Sequence, residues 1–212
     1  MSDRFQNKFR IKSTRAPWWN YSWNGTYFLT ICTEKHISYF GLIKGEKLIA
    51  TKSGKKAEEY WLEIPKHFPF VKLDEYVVMP NHIHGLITLS KPSGKNQTIT
   101  SEDIEKIIQV MPDEDDDYFQ NHQKIEALFE NPKPKNPRMS SISPEHGSVG
   151  AIVRSYKSAV TKWCNENNLL FGWQARYYDH IIRDKKDYLR IKKYIINNSK
   201  NWDDDKFFND KG

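Results

Sequence analysis

Two histidines one residue apart, His82 and His84, lie in the run Tyr76-Val77-Val78-Met79-Pro80-Asn81-His82-Ile83-His84-Gly85-Leu86-Ile87-Thr88-Leu89. The run reads as two β-strand segments, one on each side of Pro80-Asn81. In the second segment His82, His84 and Leu86 alternate with Ile83, Gly85 and Ile87. Strand side chains alternate faces, so the two histidines must point the same way. Two imidazoles roughly 6–7 Å apart on one rigid face can hold one divalent metal. A pair of exposed histidines on the solvent face of an edge strand fits the same pattern. A second pair of chemically able residues, Tyr194 and Asn198, lies four residues apart near the other end of the chain. On a helix they project from adjacent turns of one flank, a nucleophile beside a neutral oxygen ligand. Taken singly, Tyr194 reads as a packing tyrosine and Asn198 as a helix C-cap. The combination of the two pairs is what points to chemistry.

Several elements must position these residues. Thr26-Tyr27-Phe28-Leu29-Thr30-Ile31-Cys32-Thr33, after Gly25, is dense in β-branched and aromatic residues and predicts a strand. A hairpin follows, with Tyr39–Ile43 and Lys47–Ala50 flanking Lys44-Gly45-Glu46. Ala57, Tyr60, Trp61 and Ile64 fall at helical spacing, which predicts a helix from Ser53 to Ile64 closed by Pro65. Ser148 is a good N-cap for a second helix running to Asn165. Arg176–Arg183 is a short strand candidate, and the last helix spans Lys185–Ser199. Tyr188, Leu189, Ile191, Ile195 and Ile196 form its apolar arc, with Lys192 inside that arc and accountable only by snorkelling. Strands with one-sided alternation predict an α+β fold, an antiparallel sheet with helices on one face.

Residues 90–147 interrupt this order with Lys91-Pro92-Ser93-Gly94, the acid run Asp113–Asp117, and Pro132, Pro134, Pro137 and Pro144. They read as an insertion or flexible linker within one domain, and the acid run as a solvated charge cluster rather than a metal site. Residues 1–25 form a basic, aromatic arm carrying Arg10, Lys12, Arg15, Trp18, Trp19, Tyr21 and Trp23. Interleaved cations and rings suit strand binding, and equally an arm that packs its tryptophans on the domain.

The 212 residues carry a formal net charge of +6, which favours a polyanionic partner without naming one. Rings are plentiful, with 11 Tyr, 11 Phe and 7 Trp, enough to close a core and stack on unpaired bases as well. Cys32 and Cys164 have no CxxC spacing, which leaves no zinc framework or disulfide network and fits a cytoplasmic setting. No run approaches the roughly 20 apolar residues that span a bilayer.

With these motifs in hand, the chain resembles the IS200-like transposases and the related REP-associated tyrosine transposases, which are single-tyrosine HUH nucleases. The resemblance rests on NKFRI near the start, on Gly25–Thr33, and on Val78-Met79-Pro80-Asn81-His82-Ile83-His84-Gly85. It continues through Ile152–Ser158, Trp173–Arg183 and Tyr194-Ile195-Ile196-Asn197-Asn198, all in the family's order. Ser199 departs from it, where related proteins often have proline, and so does the length of the 90–147 insertion. The resemblance implies a ferredoxin-like domain over 1–212. It implies His82 and His84 as paired metal ligands, Asn198 as the third ligand, and Tyr194 as the nucleophile forming a 5′-phosphotyrosine in single-stranded DNA. Imidazole and amide-oxygen ligands suit Mg²⁺ or Mn²⁺, although imidazole also admits Zn²⁺. Arg10, Lys12, Arg15, Arg154, Lys157, Lys162 and Arg176 are the expected phosphate contacts, with a merely solvated face as the alternative for the helix cations. His180 is a further metal candidate, weighed against a core or DNA-contact histidine. The implied partners are single-stranded or hairpin DNA, with a second copy of the chain left open. No membrane and no nucleotide cofactor are expected. A non-transposing nickase or regulator that binds REP-type hairpins, a hydrolytic nuclease and an inactive nucleic-acid binder stand as rivals.

Overall fold

The computed structural model describes residues 4–5, 8–9, 19–92, 144–205 and 207–208. Two short strands, β1 (Arg4–Phe5) and β2 (Lys8–Phe9), pair with each other near the start. Then follow β3 (Gly25–Cys32), the hairpin β4 (Gly41–Lys44) and β5 (Lys47–Ala50), and helix α1 (Lys52–His67). Strands β6 (Val71–Met79) and β7 (His82–Leu89) lead to α2 (Val149–Glu166), β8 (Tyr178–Ile182) and α3 (Lys185–Asn197).

The main sheet has the order β6-β7-β3-β8, and every neighbouring pair is antiparallel. From β3 to β8, leaving aside the β4–β5 hairpin, the chain runs β-α-β-β-α-β, the ferredoxin-like arrangement, and α3 is added after it. The fold is α+β. β7 lies between β6 and β3, so the histidine pair is on a central strand and not on an exposed edge.

Alternation along β3 and β7 divides the protein into two cores. Tyr27, Leu29, Ile31, Ile83 and Ile87 face α1 and α2 and close the larger one. Trp61 of α1 packs edge-on against Tyr156 of α2, whose phenol donates to the Ala57 carbonyl at 3.0 Å. Phe28 and Leu86 face the other way and meet Ile191 and Ile195 of α3. Helices on one face therefore describes α1 and α2, while α3 lies across the opposite face, which is where His82 and His84 point.

Sequence rules failed locally at Pro65, which does not close α1 but lies within its last turn. A proline there forfeits a single hydrogen bond, to the Trp61 carbonyl, and the Phe68 N–H still reaches the Ile64 carbonyl at 2.9 Å. Ser148 caps α2 as the sequence suggests and Thr51 caps α1, with side-chain oxygens accepting from Ala151 and Gly54 N–H groups. Lys192 does not snorkel. A bulge in β6 between Leu73 and Tyr76 presents Asp74, and Lys192 Nζ lies 2.8 Å from its Oδ1 while Tyr188 donates to its Oδ2. This cluster pins α3 to the edge strand.

Of the N-terminal arm, Trp19 and Trp23 pack on the domain. Trp19 Nε1 donates to the Tyr27 phenol at 2.9 Å, and that phenol donates to the Trp23 carbonyl. Trp18, Arg10, Lys12 and Arg15 lie outside the described residues, as does 93–143, most of the expected insertion. The two ends of that insertion meet, since Lys91 Nζ would lie 3.3 Å from a Cβ placed on Gly147.

Gly85 fits Trp61 directly beneath the histidine strand, because a Cβ at this position would sit 2.2 Å from the indole. Gly85→Ala is expected to destabilise the fold by about 1–3 kcal/mol through overpacking, read from the urea midpoint.

Candidate metal and tyrosine site

The site starts from a hydrogen-bond anchor on the turn before β7. The Asn81 side-chain amide donates to the carbonyls of His36 and Phe207, at 3.0 and 2.7 Å. Both acceptors are carbonyls, so the amide orientation is fixed and Oδ1 must face His82 Nδ1, 2.8 Å away. His82 therefore carries its proton on Nδ1 and presents the lone pair of Nε2. His84 Nδ1 lies 2.8 Å from the Thr30 hydroxyl, which can accept or donate. The two Nε2 atoms face each other at 3.0 Å. Both rings are essentially inaccessible to solvent. Histidine pairs held through the remote nitrogen are the usual form of imidazole metal ligands.

Two oxygen groups complete the cluster. Asp205, in the segment after α3, offers a carboxylate oxygen within 4.8 Å of ligand nitrogens on both histidines. Its orientation is set by the Phe207 N–H at 2.8 Å and by the Asn198 amide at 3.1 Å. Asn198 occupies the C-cap position of α3, but its side chain turns to Asp205 and not to the helix carbonyls. With Nδ2 so committed, Asn198 Oδ1 is buried without a hydrogen-bond partner, a costly state for an amide oxygen. Two imidazole nitrogens and a carboxylate oxygen lie close enough to hold one metal ion, with the orphaned amide oxygen of Asn198 on the neighbouring side chain.

Tyr194 reaches this cluster from the same chain. Its phenol oxygen is 3.2 Å from His84 Nε2, and its ring meets Phe28 edge-on. The residue is 40% exposed and lines a cleft of about 690 Å³ between α3 and the sheet. Burial, followed by the nearby Asp205 carboxylate, pushes its pKa up to about 12. A divalent cation held by these residues would oppose that shift. Phe207 closes the other side, its ring centroid 4.8 Å from that of His82.

The four residues singled out from sequence, His82, His84, Tyr194 and Asn198, thus come together. His180 does not join them; its Nε2 lies 2.7 Å from Asp187 Oδ2 in the first turn of α3. Arg154, Lys157 and Lys162 are on α2, across the sheet from the cleft. Arg154 is exposed, and Lys162 lies 3.8 Å from Glu166. Arg176 is exposed just before β8. Sequence reasoning missed Asp205, one of three consecutive aspartates with no spacing signal. It also missed Asn81 and Thr30 as the anchors of the imidazoles, although Asn81 adjoins His82 in the quoted motif.

Lys157 is turned inward, donating to the carbonyls of Gln174 and Arg176 at 2.5 and 3.4 Å. Burial lowers its pKa from 10.5 to about 8. Between those values the unfolded chain holds a proton that the folded chain has shed, so this group adds stability as pH rises through that window. Lys157→Met is expected to remove that rise when melting temperatures are compared from pH 8 to 10.5.

No family model matches the chain. An uncharacterized protein of Haemophilus influenzae is 32% identical over 204 residues, covering 94% of this chain and 93% of that one. Two solved structures are similar in fold. One is a REP-associated tyrosine transposase bound to a REP hairpin, at 20% identity and a TM-score of 0.47, covering 89% of this chain and 72% of the other. The second, provisionally described as a transposase of Deinococcus radiodurans, has 13% identity and a TM-score of 0.34, covering 89% and 97%. By the sequence relationship over nearly its whole length, the chain belongs to one family with the uncharacterized Haemophilus influenzae protein.

Proposed function

We propose that this protein is a metal-dependent transposase or nuclease of single-stranded DNA that cuts and rejoins strands through Tyr194. The observation that carries the reading is the phenol oxygen of Tyr194 at 3.2 Å from His84 Nε2, open to a cleft, within a cluster suited to a cation. His82, His84 and Asn198 would hold that cation, together with Asp205. A bound Mg²⁺ or Mn²⁺ supplies positive charge for the scissile phosphate and for the negative charge that develops on its oxygens.

The chain's own residues do the rest. Asn81 and Thr30 hold the imidazoles in place, and α3 aims the phenol along the cleft. The Tyr194 oxygen forms a bond to phosphorus as the bond from phosphorus to the 3′ oxygen breaks. The phenolic proton is released and the departing oxygen takes one up, so no net proton is consumed. The product is a 5′-phosphotyrosine and a free 3′-hydroxyl. Because the ester retains the phosphodiester energy, a hydroxyl can attack it and rejoin the strand without ATP. Hairpin or repeat ends are the proposed substrates, and Arg154 and Arg176 are proposed phosphate contacts outside the cleft. The non-transposing reading, a nickase or regulator acting on hairpin DNA, uses the same site.

Incubation with hairpin-bearing single-stranded oligonucleotides and Mn²⁺ should give a covalent protein–DNA band that survives denaturing gels. Tyr194→Phe should abolish that band while leaving DNA affinity within about threefold, and His82→Ala should abolish cleavage. A band persisting in Tyr194→Phe would remove the tyrosine from its role. Calorimetric titration with Mn²⁺ should show binding weakened about tenfold or more in Asp205→Ala; unchanged affinity would strike Asp205 from the ligand set.

A further inference from the structure

The cleft continues beyond Tyr194, away from the histidine pair. On the sheet, Thr30 is in register with both His84 and Tyr178, so these three side chains form a row across β7, β3 and β8. Two strand spacings, roughly 10 Å, separate the ends of that row. His180 follows on the same face of β8. On the helix wall, Arg190 precedes Tyr194 by one turn, about 6 Å of rise. Tyr178, His180 and Arg190 all line this end of the cleft.

Their arrangement is built. Asp187 accepts from Arg190 Nη2 at 2.5 Å through Oδ1 and lies 2.7 Å from His180 Nε2 through Oδ2. One carboxylate thereby orients a guanidinium from α3 and an imidazole from the sheet. A guanidinium has five N–H donors, and this contact uses one of them. Tyr178 lines the same cleft and is 47% exposed. A half-exposed ring and an oriented cation on one cleft suit one nucleotide of an unpaired strand, with the base on the ring and the phosphate on the cation.

We propose that Tyr178 and Arg190 form a nucleotide subsite adjoining the reaction centre, with Asp187 and His180 holding the guanidinium in place. The proposal rests on the reading of the cleft as a site for single-stranded DNA. The base of the neighbouring nucleotide stacks on Tyr178, and its phosphate meets Arg190 one helical turn from the phenol. The strand is thereby held straight across Tyr194, and a duplex, whose bases are already stacked, is refused at this position.

Fluorescence anisotropy with a fluorescein-labelled dT8 oligonucleotide, in EDTA so that no cleavage occurs, tests the subsite. Tyr178→Ala and Arg190→Ala should each weaken binding about tenfold, and Tyr178→Phe should bind like the wild type. Arg190→Ala should also reduce the slope of log affinity against log salt by about one. The Arg190 side chain is 66% exposed and Tyr178 47%, so unchanged melting temperatures will separate lost contacts from lost folding. Alanine variants within twofold of the wild type, or a wild type that does not bind dT8, would overturn the subsite. If those variants bind normally while the wild type still forms the covalent band, only the subsite fails. If they bind weakly and no band forms with the wild type, strand transfer fails and the subsite stands.

Discussion

A central strand must give each side chain to one of two faces, and in β7 that obligation separates chemistry from packing. Ile83, Gly85 and Ile87 go to α1 and α2, where Ile83 and Ile87 are fully buried and Gly85 leaves the space that Trp61 fills. His82 and His84 go to the other face, and the core packed by α1 and α2 on the far side holds them still. The imidazoles cannot shift along the sheet without breaking pairs on both neighbours, since β7 is bonded to β3 over eight registered pairs from Gly25↔Leu89 to Cys32↔His82. Rigidity here comes from the larger core, and reactivity faces the smaller one.

The smaller core is what brings the tyrosine. Four buried side chains, Phe28, Leu86, Ile191 and Ile195, dock α3, and a core of that size offers little orientational control by itself. The Asp74–Lys192–Tyr188 cluster supplies the missing constraint at the β6 edge, outside the cleft. It sits on a bulge, where a strand naturally redirects a side chain. The result is a helix fixed along one flank by ionic and hydroxyl contacts and open along the other, where Tyr194 and Arg190 reach the cleft.

Much of this was legible in the sequence because it follows from periodicity. The faces of His82 and His84, the flank shared by Tyr194 and Asn198, and the two N-caps Thr51 and Ser148 all derive from local rules that tertiary structure had no reason to override, although only Ser148 was singled out beforehand. Lys192 was illegible for the opposite reason: its partner lies 118 positions away on a bulge, and bulges leave no periodic trace. Pro65 misled because the rule that proline ends helices concerns interiors, and the last turn has few bonds left to lose. Asp205 and Phe207 were invisible since they act from an irregular segment placed by contacts to Asn81 and Asn198. The central position of β7 was likewise a matter of strand order, which alternation along one strand does not encode.

The placement of Asp205 has a practical corollary for anyone handling this polypeptide. It follows the last helix, and it is tethered through a few hydrogen bonds and the ring of Phe207. A protease nick near Asn201 would spare β1–β8 and α1–α3, so circular dichroism would change little. Intact-mass measurement, not spectroscopy of the fold, is the quality control that matters before any assay of such material.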